Sequence, residues 1–318
     1  MEAQETAMAW KKLGLVFDLS KHNIPWLKSH AMLPTPLLLS DRIRVYYTGR
    51  DHTGQSRISF VDLKRDDPTC ILYVHDLPLL DIGKPGTFDD SGTLGTFAVH
   101  DGDKILLYYN GYNRRVVVPW SNAIGIAVSI DGGTTFKRMF EGPIMDRTTH
   151  EPYFAITPCI LQEQGLWRMW YTSGTGWVRV NERQEPLYVI KYAESTDGIR
   201  WKRENITCIQ PLSPDEANAR AAVVKEGGLY RMWFIYRGSS DFRNGVDSYR
   251  IGYAESNDAI QWTRDDAKAG IACEPNGWDG KMQAYPAVIT VDAKRYLFYN
   301  GDGFGCVGFG CAVWQKQT

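Results

Sequence analysis

Four side chains able to transfer protons lie just before apolar, β-branched runs of the chain. They are His30, Asp89, Asp90 and Glu151. An imidazole or a carboxyl group acts as a general acid or base when burial and neighbouring charges shift its pKa towards the working pH. Polar groups in such positions are costly to bury unless they pair with one another or with a ligand. We therefore predict that the catalytic groups are among these residues, with Glu151 as the general acid.

Each of these side chains also has a simpler interpretation. Asp89 and Asp90 precede Ser91 and Gly92, a sequence that is typical of an Asx turn. His30 could be a base, a ligand contact or a structural histidine. Glu151 could form an ion pair with a nearby basic side chain such as Arg220 or Lys281. Its neighbour His150 should point to the opposite face of an extended strand, and we place Glu151 on the inner face.

Basic side chains occupy comparable positions. Arg50 follows one aromatic run, and Arg237 holds the matching position after another. Arg220 and Lys281 lie at the start of two apolar runs. Because arginine binds a carboxylate or a phosphate through two parallel hydrogen bonds, a ring of these residues would suit a charged substrate. The alternative is that they neutralise the acidic side chains.

Aromatic side chains near the same positions could stack on a sugar ring. Trp177 and Tyr285 are the two that we predict to bind substrate, and Tyr112 and Trp120 are further candidates. Packing between neighbouring sheets is the alternative, since large aromatic residues also dominate the interiors of β-proteins.

The elements that position these residues recur along the chain. An aromatic strand that ends in a small polar turn carries Tyr47, Tyr109, Tyr171, Tyr236 and Tyr299, at spacings of 62, 62, 65 and 63 residues. β-branched and aromatic residues favour strands, and a fixed period of this length is typical of repeat architectures. Each copy has room for four strands.

A second repeated signal follows the aromatic strand. Residues 124–136, 192–201 and 253–262 each join two strands through a turn that contains Asp131, Asp197 or Asp258. We predict that these three acids cap turns on the rim. No long segment has the 3.6-residue period of a helix.

The last copy stops after its third strand. Residues 10–13 resemble the outer strand at residues 201–204 and could supply the missing fourth strand, which would remove an exposed edge. The sequence therefore predicts an all-β fold: a five-bladed β-propeller with four antiparallel strands per blade, closed into a ring by an N-terminal strand. We expect residues 1–318 to form one domain, with residues 1–9 as a loose tail.

Composition excludes several classes of function. The net charge of −1 gives no basis for binding nucleic acid or an anionic membrane. No apolar run approaches the roughly 20 residues that span a bilayer, and the N-terminus lacks the pattern of a secretory signal. The six cysteines are scattered, which predicts reduced thiols and a cytoplasmic protein; a Cys306–Cys311 disulfide is the alternative. We find no metal-binding or cofactor motif and predict neither group.

Taken together, the five repeats, the S-x-D-G-x-x-W turn endings and the acids before the second and third copies resemble the five-bladed glycoside hydrolases. These include the arabinanase/xylosidase, fructosidase and mannoside-phosphorylase-like families. The resemblance covers residues 10–314. In the arabinanase-like families, the catalytic acids are an Asp from blade one, an Asp from blade two and a Glu from blade three.

Carried over by position, this resemblance implies Asp89 or Asp90 in blade two and Glu151 in blade three. Blade one departs from the family pattern, because His30 occupies the expected place of its acid. Asp18 and Asp51 are nearby in sequence, but neither lies at the start of that blade. The resemblance implies an enzyme that cleaves or transfers a glycosidic bond in a small or charged carbohydrate.

Two functions follow from this departure. If the base is absent, phosphate could act as the nucleophile, held by the basic residues. Alternatively, the chain could be a binding or biosynthetic protein that holds a carbohydrate or a sugar nucleotide without hydrolysing it. Loops at residues 112–122, 175–186 and 239–248 should lie beside the pocket, where they could set specificity or form a homodimer contact.

Overall fold

The computed structural model describes residues 8–243 and 245–316. In chain order, the strands there are β1 (Met8–Asp18), β2 (Ser29–Leu38), β3 (Arg42–Arg50), β4 (Ser56–Lys64), β5 (Ile71–Val74), β6 (Gly92–Asp101), β7 (Lys104–Arg114), β8 (Trp120–Ser129), β9 (Lys137–Arg138), β10 (Ala155–Glu163), β11 (Leu166–Val180), β12 (Arg183–Ser195), β13 (Lys202–Thr207), β14 (Ala217–Glu226), β15 (Leu229–Arg237), β16 (Arg250–Ser256), β17 (Thr263–Arg264), β18 (Ala284–Val291), β19 (Lys294–Asn300) and β20 (Gly308–Lys316). Two 3₁₀ turns (Leu19–Lys21 and Asp266–Ala269) and one short helical turn, α1 (Asp302–Gly305), accompany them.

The strands pair with their chain neighbours into antiparallel sheets of four. Sheet I contains β2 to β5, sheet II β6 to β9, sheet III β10 to β13 and sheet IV β14 to β17. Sheet V contains β18, β19 and β20, with β1 as its outermost strand. One parallel bridge, between Ser56 and Gly92, joins sheets I and II. The prediction of an all-β fold assembled from four-stranded antiparallel sheets is confirmed.

The repeated aromatic run lies on the second strand of each sheet. Tyr47, Tyr109, Tyr171 and Tyr299 are fully buried on these strands. Their strands are covered by neighbouring sheets on both faces, so consecutive residues are buried rather than alternate ones. Tyr47 of sheet I, for example, belongs to one apolar cluster with Phe309 of sheet V. The core therefore consists of aromatic layers between adjacent sheets.

The first strands of the sheets surround a central channel. They contact one another in the order β2, β6, β10, β14, β18 and back to β2. The pairing of each first strand with its second strand contains a register shift. Such bulges re-aim a side chain. Four of the strands carry a residue with left-handed backbone there: Leu33 (φ 56°), Thr157 (φ 47°), Arg220 (φ 52°) and Tyr285 (φ 55°).

Side chains on the second strands clasp the next sheet at these bulges. Thr48 of sheet I accepts a hydrogen bond from the Gly95 amide (3.1 Å), and Asn110 of sheet II accepts one from Thr157 (3.0 Å). Asn300 of sheet V accepts one from the Leu33 amide of sheet I (2.9 Å). The last sheet is therefore tied directly to the first.

The N-terminal strand completes sheet V. β1 pairs antiparallel with β20 along its whole length, with Trp10 opposite Trp314. The predicted position of residues 10–13 as an outer strand agrees with this pairing. Met8 and Ala9, predicted to belong to a loose tail, are instead part of β1; residues 1–7 of that tail lie outside the described residues.

Two further sequence features can be compared with the structure. All six cysteines are free thiols, so the alternative Cys306–Cys311 disulfide is absent. Across residues 8–243 and 245–316, no helix has the length and apolar character needed to cross a bilayer.

Candidate functional site

A cavity of about 490 Å³ opens at the end of the channel where the first strands begin. The left-handed residues Leu33, Thr157, Arg220 and Tyr285 all line it. The bulges thus turn one side chain from each of four first strands towards the same space. A concave space with apolar walls and a few converging polar groups is the usual form of a small-molecule site.

The charged lining of this cavity is predominantly basic. Arg50, Arg114, Arg220 and Arg243 line it, together with one carboxylate, Glu185. Arg243 donates two parallel hydrogen bonds to Glu185, at 2.9 and 2.7 Å. Among the described residues, the side chains of Arg50, Arg114 and Arg220 have no ion-pair partner. Three of the four positive charges are therefore not neutralised by the protein.

Arg220 forms the floor of the cavity. It is only 3% exposed, and its guanidinium donates to the carbonyl oxygens of Pro286 (3.4 Å), Pro34 (3.3 Å) and Thr96. These carbonyls belong to sheets V, I and II, so one side chain of sheet IV connects four sheets across the channel. Burial lowers the pKa of Arg220 to about 10, which still leaves it charged at neutral pH.

Tyrosine hydroxyl groups form one wall. Tyr188 and Tyr249 hydrogen-bond to each other, and the Nε of Arg237 donates to Tyr188 at 3.2 Å. Tyr285 lies beside Tyr249, with ring centroids 6.5 Å apart. Burial raises the pKa of Tyr285 to about 12, so it stays protonated and can donate a hydrogen bond at neutral pH.

The predicted insertions also contribute to the cavity lining. Trp120, Glu185 and Arg243 each come from one of the three segments that we expected to wall the pocket, and all three line the cavity. The segment at residues 175–186 is mostly not a loop, because β11 and β12 continue through it as a long hairpin. The hairpin gives Glu185 a more fixed position than a loop would.

Glu151 does not lie in the cavity lining. Its carboxylate is 3% exposed and accepts hydrogen bonds from Tyr171 (2.9 Å to both oxygens) and Ser173 (2.7 Å). Lys191 and Arg203 lie 3.9 and 3.8 Å away. These four partners belong to the second, third and fourth strands of sheet III. The expectation that Glu151 faces the channel is therefore wrong: it lies under the outer strands.

Neither aspartate before β6 lines the cavity. Asp89 is completely buried, accepts a hydrogen bond from Tyr109 (3.1 Å) and forms an ion pair with Arg138 (2.7 Å). Asp90 accepts hydrogen bonds from Asn113 (2.7 Å) and from the Gly86 amide (3.0 Å). Burial opposes ionisation, but these bonds hold the pKa of Asp90 below its usual value. Asp89 and Asp90 therefore hold the turn before β6 and the sheet in place.

His30 lies behind the cavity rim. Its Nδ1 is 2.8 Å from the hydroxyl of Ser29, and its backbone is left-handed (φ 66°). Burial, reinforced by the charge of Arg50, lowers the pKa of His30 to about 4. It is therefore neutral at pH 7 and does not line the cavity.

The predicted substrate-binding residues divide into two groups. Arg50, Arg220 and Tyr285 line the cavity. Lys281 is exposed, and its backbone amide binds Asp302 outside the cavity. Arg237 lies behind the tyrosine wall; it follows Ile235 by two residues as Arg50 follows Thr48, which agrees with the match predicted from the sequence.

Trp177 is a packing residue. Its ring lies 4.9 Å from that of Trp120 and 5.9 Å from that of Phe154. Trp120, and not Trp177, faces the cavity. Trp177 therefore packs against the ring that lines the cavity.

The repeated turn acids have the predicted capping geometry. The Oδ1 atom of Asp131 accepts hydrogen bonds from the amides of Thr134 and Thr135. In the same way, Asp197 binds Ile199 and Arg200, and Asp258 binds Ile260 and Gln261.

Glu185, Tyr188 and Tyr249 were not identified from the sequence. Glu185 precedes Pro186 within a strand-like run, where nothing distinguishes it from a surface acid. Across the residues that the structure describes, no group of three His, Cys, Asp or Glu side chains is placed to hold a metal ion.

Sequence comparisons identify two relatives. The uncharacterised proteins MT1551 and Rv1502, from two strains of Mycobacterium tuberculosis, are each 38% identical to this chain over 311 residues. The alignments cover 97% of this chain and 100% of each relative. No family model matches the chain.

Solved structures with a similar fold are glycoside hydrolases. A complex of BT0996 with RGII superposes with a TM-score of 0.73 at 17% identity, covering 96% of this chain and 92% of that one. A thermostable family-43 glycoside hydrolase gives 0.68 at 16% identity, with 92% and 91% covered. A GH130 structure, from a family of mannoside phosphorylases that contains β-1,2-mannoside hydrolases, gives 0.64 at 14%, with 98% and 95% covered. Families 43 and 130 are five-bladed β-propellers, and at these identities the similarity concerns the fold.

Proposed function

This protein belongs to the family of the Mycobacterium tuberculosis proteins MT1551 and Rv1502, and we propose that it binds a negatively charged carbohydrate in its central cavity. One observation carries the proposal: four arginines and a single carboxylate line that cavity, beside tyrosines and Trp120. The glycoside hydrolase fold supports a saccharide as the ligand class. The structural neighbour in complex with RGII supports the same class.

The charge of the lining favours an anion over a neutral sugar. Arginine binds carboxylates and phosphates through paired hydrogen bonds, and such contacts strengthen where water is excluded. Trp120 supplies a flat apolar face of the kind on which a sugar ring packs. A uronic acid, a sugar phosphate or a sugar nucleotide would each satisfy both requirements.

Glycosyl transfer to phosphate is the second candidate function. Ordinary glycosidases use two carboxyl groups, about 5–9.5 Å apart. The described cavity lining contains one, Glu185. In a one-carboxylate reaction, Glu185 would protonate the leaving oxygen as the glycosidic bond breaks. An oxygen of phosphate, held by the arginines, would bond to the anomeric carbon.

Catalysis by Glu151 and Asp89, the acids identified from the sequence, would require both side chains to move. Glu151 and Asp89 would have to leave their tyrosine and cation partners to reach a ligand. Glu185 also has a cation partner, Arg243, but it already lines the cavity, and for that reason we place the acid–base role on it. The same proposal includes one domain folded as a closed five-bladed ring; a cytoplasmic location and a homodimer remain predictions.

Binding can be tested by calorimetry with glucose, glucuronic acid, glucose 1-phosphate and UDP-glucose as probes. We expect at least one charged probe to bind more tightly than glucose. Glu185→Gln should retain or increase that affinity, because it removes the only negative side chain of the lining. Equal affinity for charged and neutral probes, or no binding at all, would contradict the proposal.

Catalysis has a separate readout. If the protein transfers glycosyl groups to phosphate, release of sugar 1-phosphate from oligosaccharides should require phosphate and should be lost in Glu185→Gln. Glu151→Gln is the matched carboxylate control, and it should retain turnover per folded molecule. Turnover lost only in Glu151→Gln would return the acid role to that residue.

A further inference from the structure

One position in the repeat breaks its own pattern. The residue after the repeated tyrosine is Thr48, Asn110, Thr172 or Asn300 in four sheets, and each accepts a hydrogen bond from the next sheet. In sheet IV the register puts Ile235 at this position, and an isoleucine side chain cannot accept a hydrogen bond. A departure from a structural rule that the rest of the molecule obeys is commonly found at a functional site.

Arg237, two residues after Ile235 on β15, directs its charge towards the cavity wall. It is 1% exposed, and its Nη1 donates to the Gly238 carbonyl (2.9 Å) and to Ser239 (2.8 Å). Its Nε donates to Tyr188 (3.2 Å). No described carboxylate forms an ion pair with it. Its positive charge is therefore compensated only by neutral partners, one of which lines the cavity.

Tyr188 and Tyr249, the tyrosine pair in front of Arg237, have one hydroxyl hydrogen that their mutual hydrogen bond does not use. Tyr188 and Tyr249 share one hydrogen bond, and whichever hydroxyl donates it, the other keeps its own hydrogen. The N–H of Arg237 already occupies a lone pair of Tyr188. Burial, together with the neighbouring Tyr188, raises the pKa of Tyr249, which keeps it protonated. The pair therefore presents a hydrogen-bond donor to the cavity.

Tyr285 presents a second donor beside the first. Its left-handed backbone (φ 55°) is unfavourable for a bulky residue, and such strain persists where the surroundings enforce it. Its hydroxyl forms no hydrogen bond with any described residue, although it lines the cavity. Arg50, Arg220 and Arg243 all lie close enough to influence its ionisation. The unpaired hydroxyl is thus surrounded by positive charge.

Building on the proposed function, we propose that the anionic group of the carbohydrate binds at this wall between sheets IV and V. Tyr249 and Tyr285 donate hydrogen bonds to its oxygens, and Arg237 acts as a positioning residue that holds the tyrosine pair. The subsite suits an oxygen that only accepts hydrogen bonds and carries negative charge. A uronic carboxylate and a sugar phosphate share that chemistry.

The test compares Tyr249→Phe and Tyr285→Phe with Tyr236→Phe, a matched control. Tyr236 lies on the same sheet but outside the cavity lining. Calorimetry with glucuronic acid, glucose 1-phosphate and glucose separates the two anion sources. Loss of a hydrogen bond to a charged group should weaken the preferred charged probe by about tenfold to a hundredfold in each cavity variant. The control should bind like wild type.

Arg237→Lys tests the positioning role through the ratio of charged to neutral probe affinity. We expect that ratio to fall. A merely structural role would lower the melting temperature and leave the ratio unchanged. If both Tyr→Phe variants bind the charged probe as wild type does, the subsite is wrong and the proposed function stands. If wild type binds no charged probe, the proposed function fails and the subsite with it.

Discussion

At the scale of the residue, the acids before the first strands share one environment. In sheets II, III and V, such an acid accepts a hydrogen bond from the repeated tyrosine and faces a cation of the outermost strand. A buried carboxylate with these partners anchors the start of the inner strand to the rest of its sheet. The sets are Asp89 with Tyr109 and Arg138, Glu151 with Tyr171 and Arg203, and Asp279 with Tyr299 and Lys12.

This environment predicts the effect of Glu151→Gln. The change leaves Lys191 and Arg203 without their buried counter-charge, and we expect it to reduce the free energy of unfolding by about 3 kcal/mol. Urea denaturation would measure the loss. Glu204→Gln, an exposed acid on β13, is the control and should cost little. Unchanged stability with abolished ligand binding would show that Glu151 serves the ligand and not the sheet.

His30 predicts how stability depends on pH. Its pKa is lowered to about 4 in the folded protein, mainly by burial, against about 6.5 when unfolded. Between these pH values the unfolded state therefore binds more protons than the folded state. The stabilising contribution of neutral His30 to folding is fully present above about pH 6.5 and is lost as pH falls towards 4. Melting temperatures from about pH 7.5 to pH 5 should fall less steeply in His30→Gln. The exposed His52→Gln should follow wild type.

At the scale of the element, β1 joins the two ends of the chain. Trp10 is buried, with its ring 5.2 Å from Trp233 of sheet IV and 4.9 Å from Trp314 of sheet V. Lys12 adds an ion pair with the buried Asp279 at 2.6 Å. Both contacts connect the first strand of the chain to its last elements.

We expect Trp10→Ala to reduce the free energy of unfolding by about 3–5 kcal/mol, the usual cost of removing a buried tryptophan. The neighbouring Lys11 is exposed, so Lys11→Ala should have an effect within about 0.5 kcal/mol. Chemical denaturation of both variants would measure the difference. Equal stability of the two would mean that β1 is not needed to complete sheet V.

The elements could be predicted from the sequence because burial on both faces imposes a recognisable aromatic run in each copy. The direction of individual side chains could not. Alternation along a strand assigns faces only while the register is regular, and every first strand contains a bulge. Glu151 precedes β10, where strand alternation does not apply, and was therefore assigned to the wrong surroundings. Arg220 and Tyr285 lie in the cavity lining because the bulges turn them inward.

At the scale of the molecule, positive charge is concentrated in the cavity, although the net charge is close to zero. The protein has a net charge of −1, yet its cavity contains four arginines and one acid. Binding of a charged probe should therefore weaken severalfold as salt rises from about 0.05 to about 0.5 M, because ions screen exposed charges. Arg114→Gln should reduce this salt dependence, which calorimetry at several salt concentrations would measure. A salt-independent affinity would contradict this distribution of charge.

If the proposed function holds, the position of Arg220 also determines which part of a long saccharide the cavity accepts. A second, mostly apolar cavity of about 320 Å³ lies on the far side of this side chain, and Arg220 lines both spaces. Because its guanidinium holds carbonyls of three other sheets, the channel is closed at that point. Under the proposed function, a polymer would therefore not thread past Arg220. Only a saccharide terminus would reach the floor, and what remained there would leave through the mouth by which it entered.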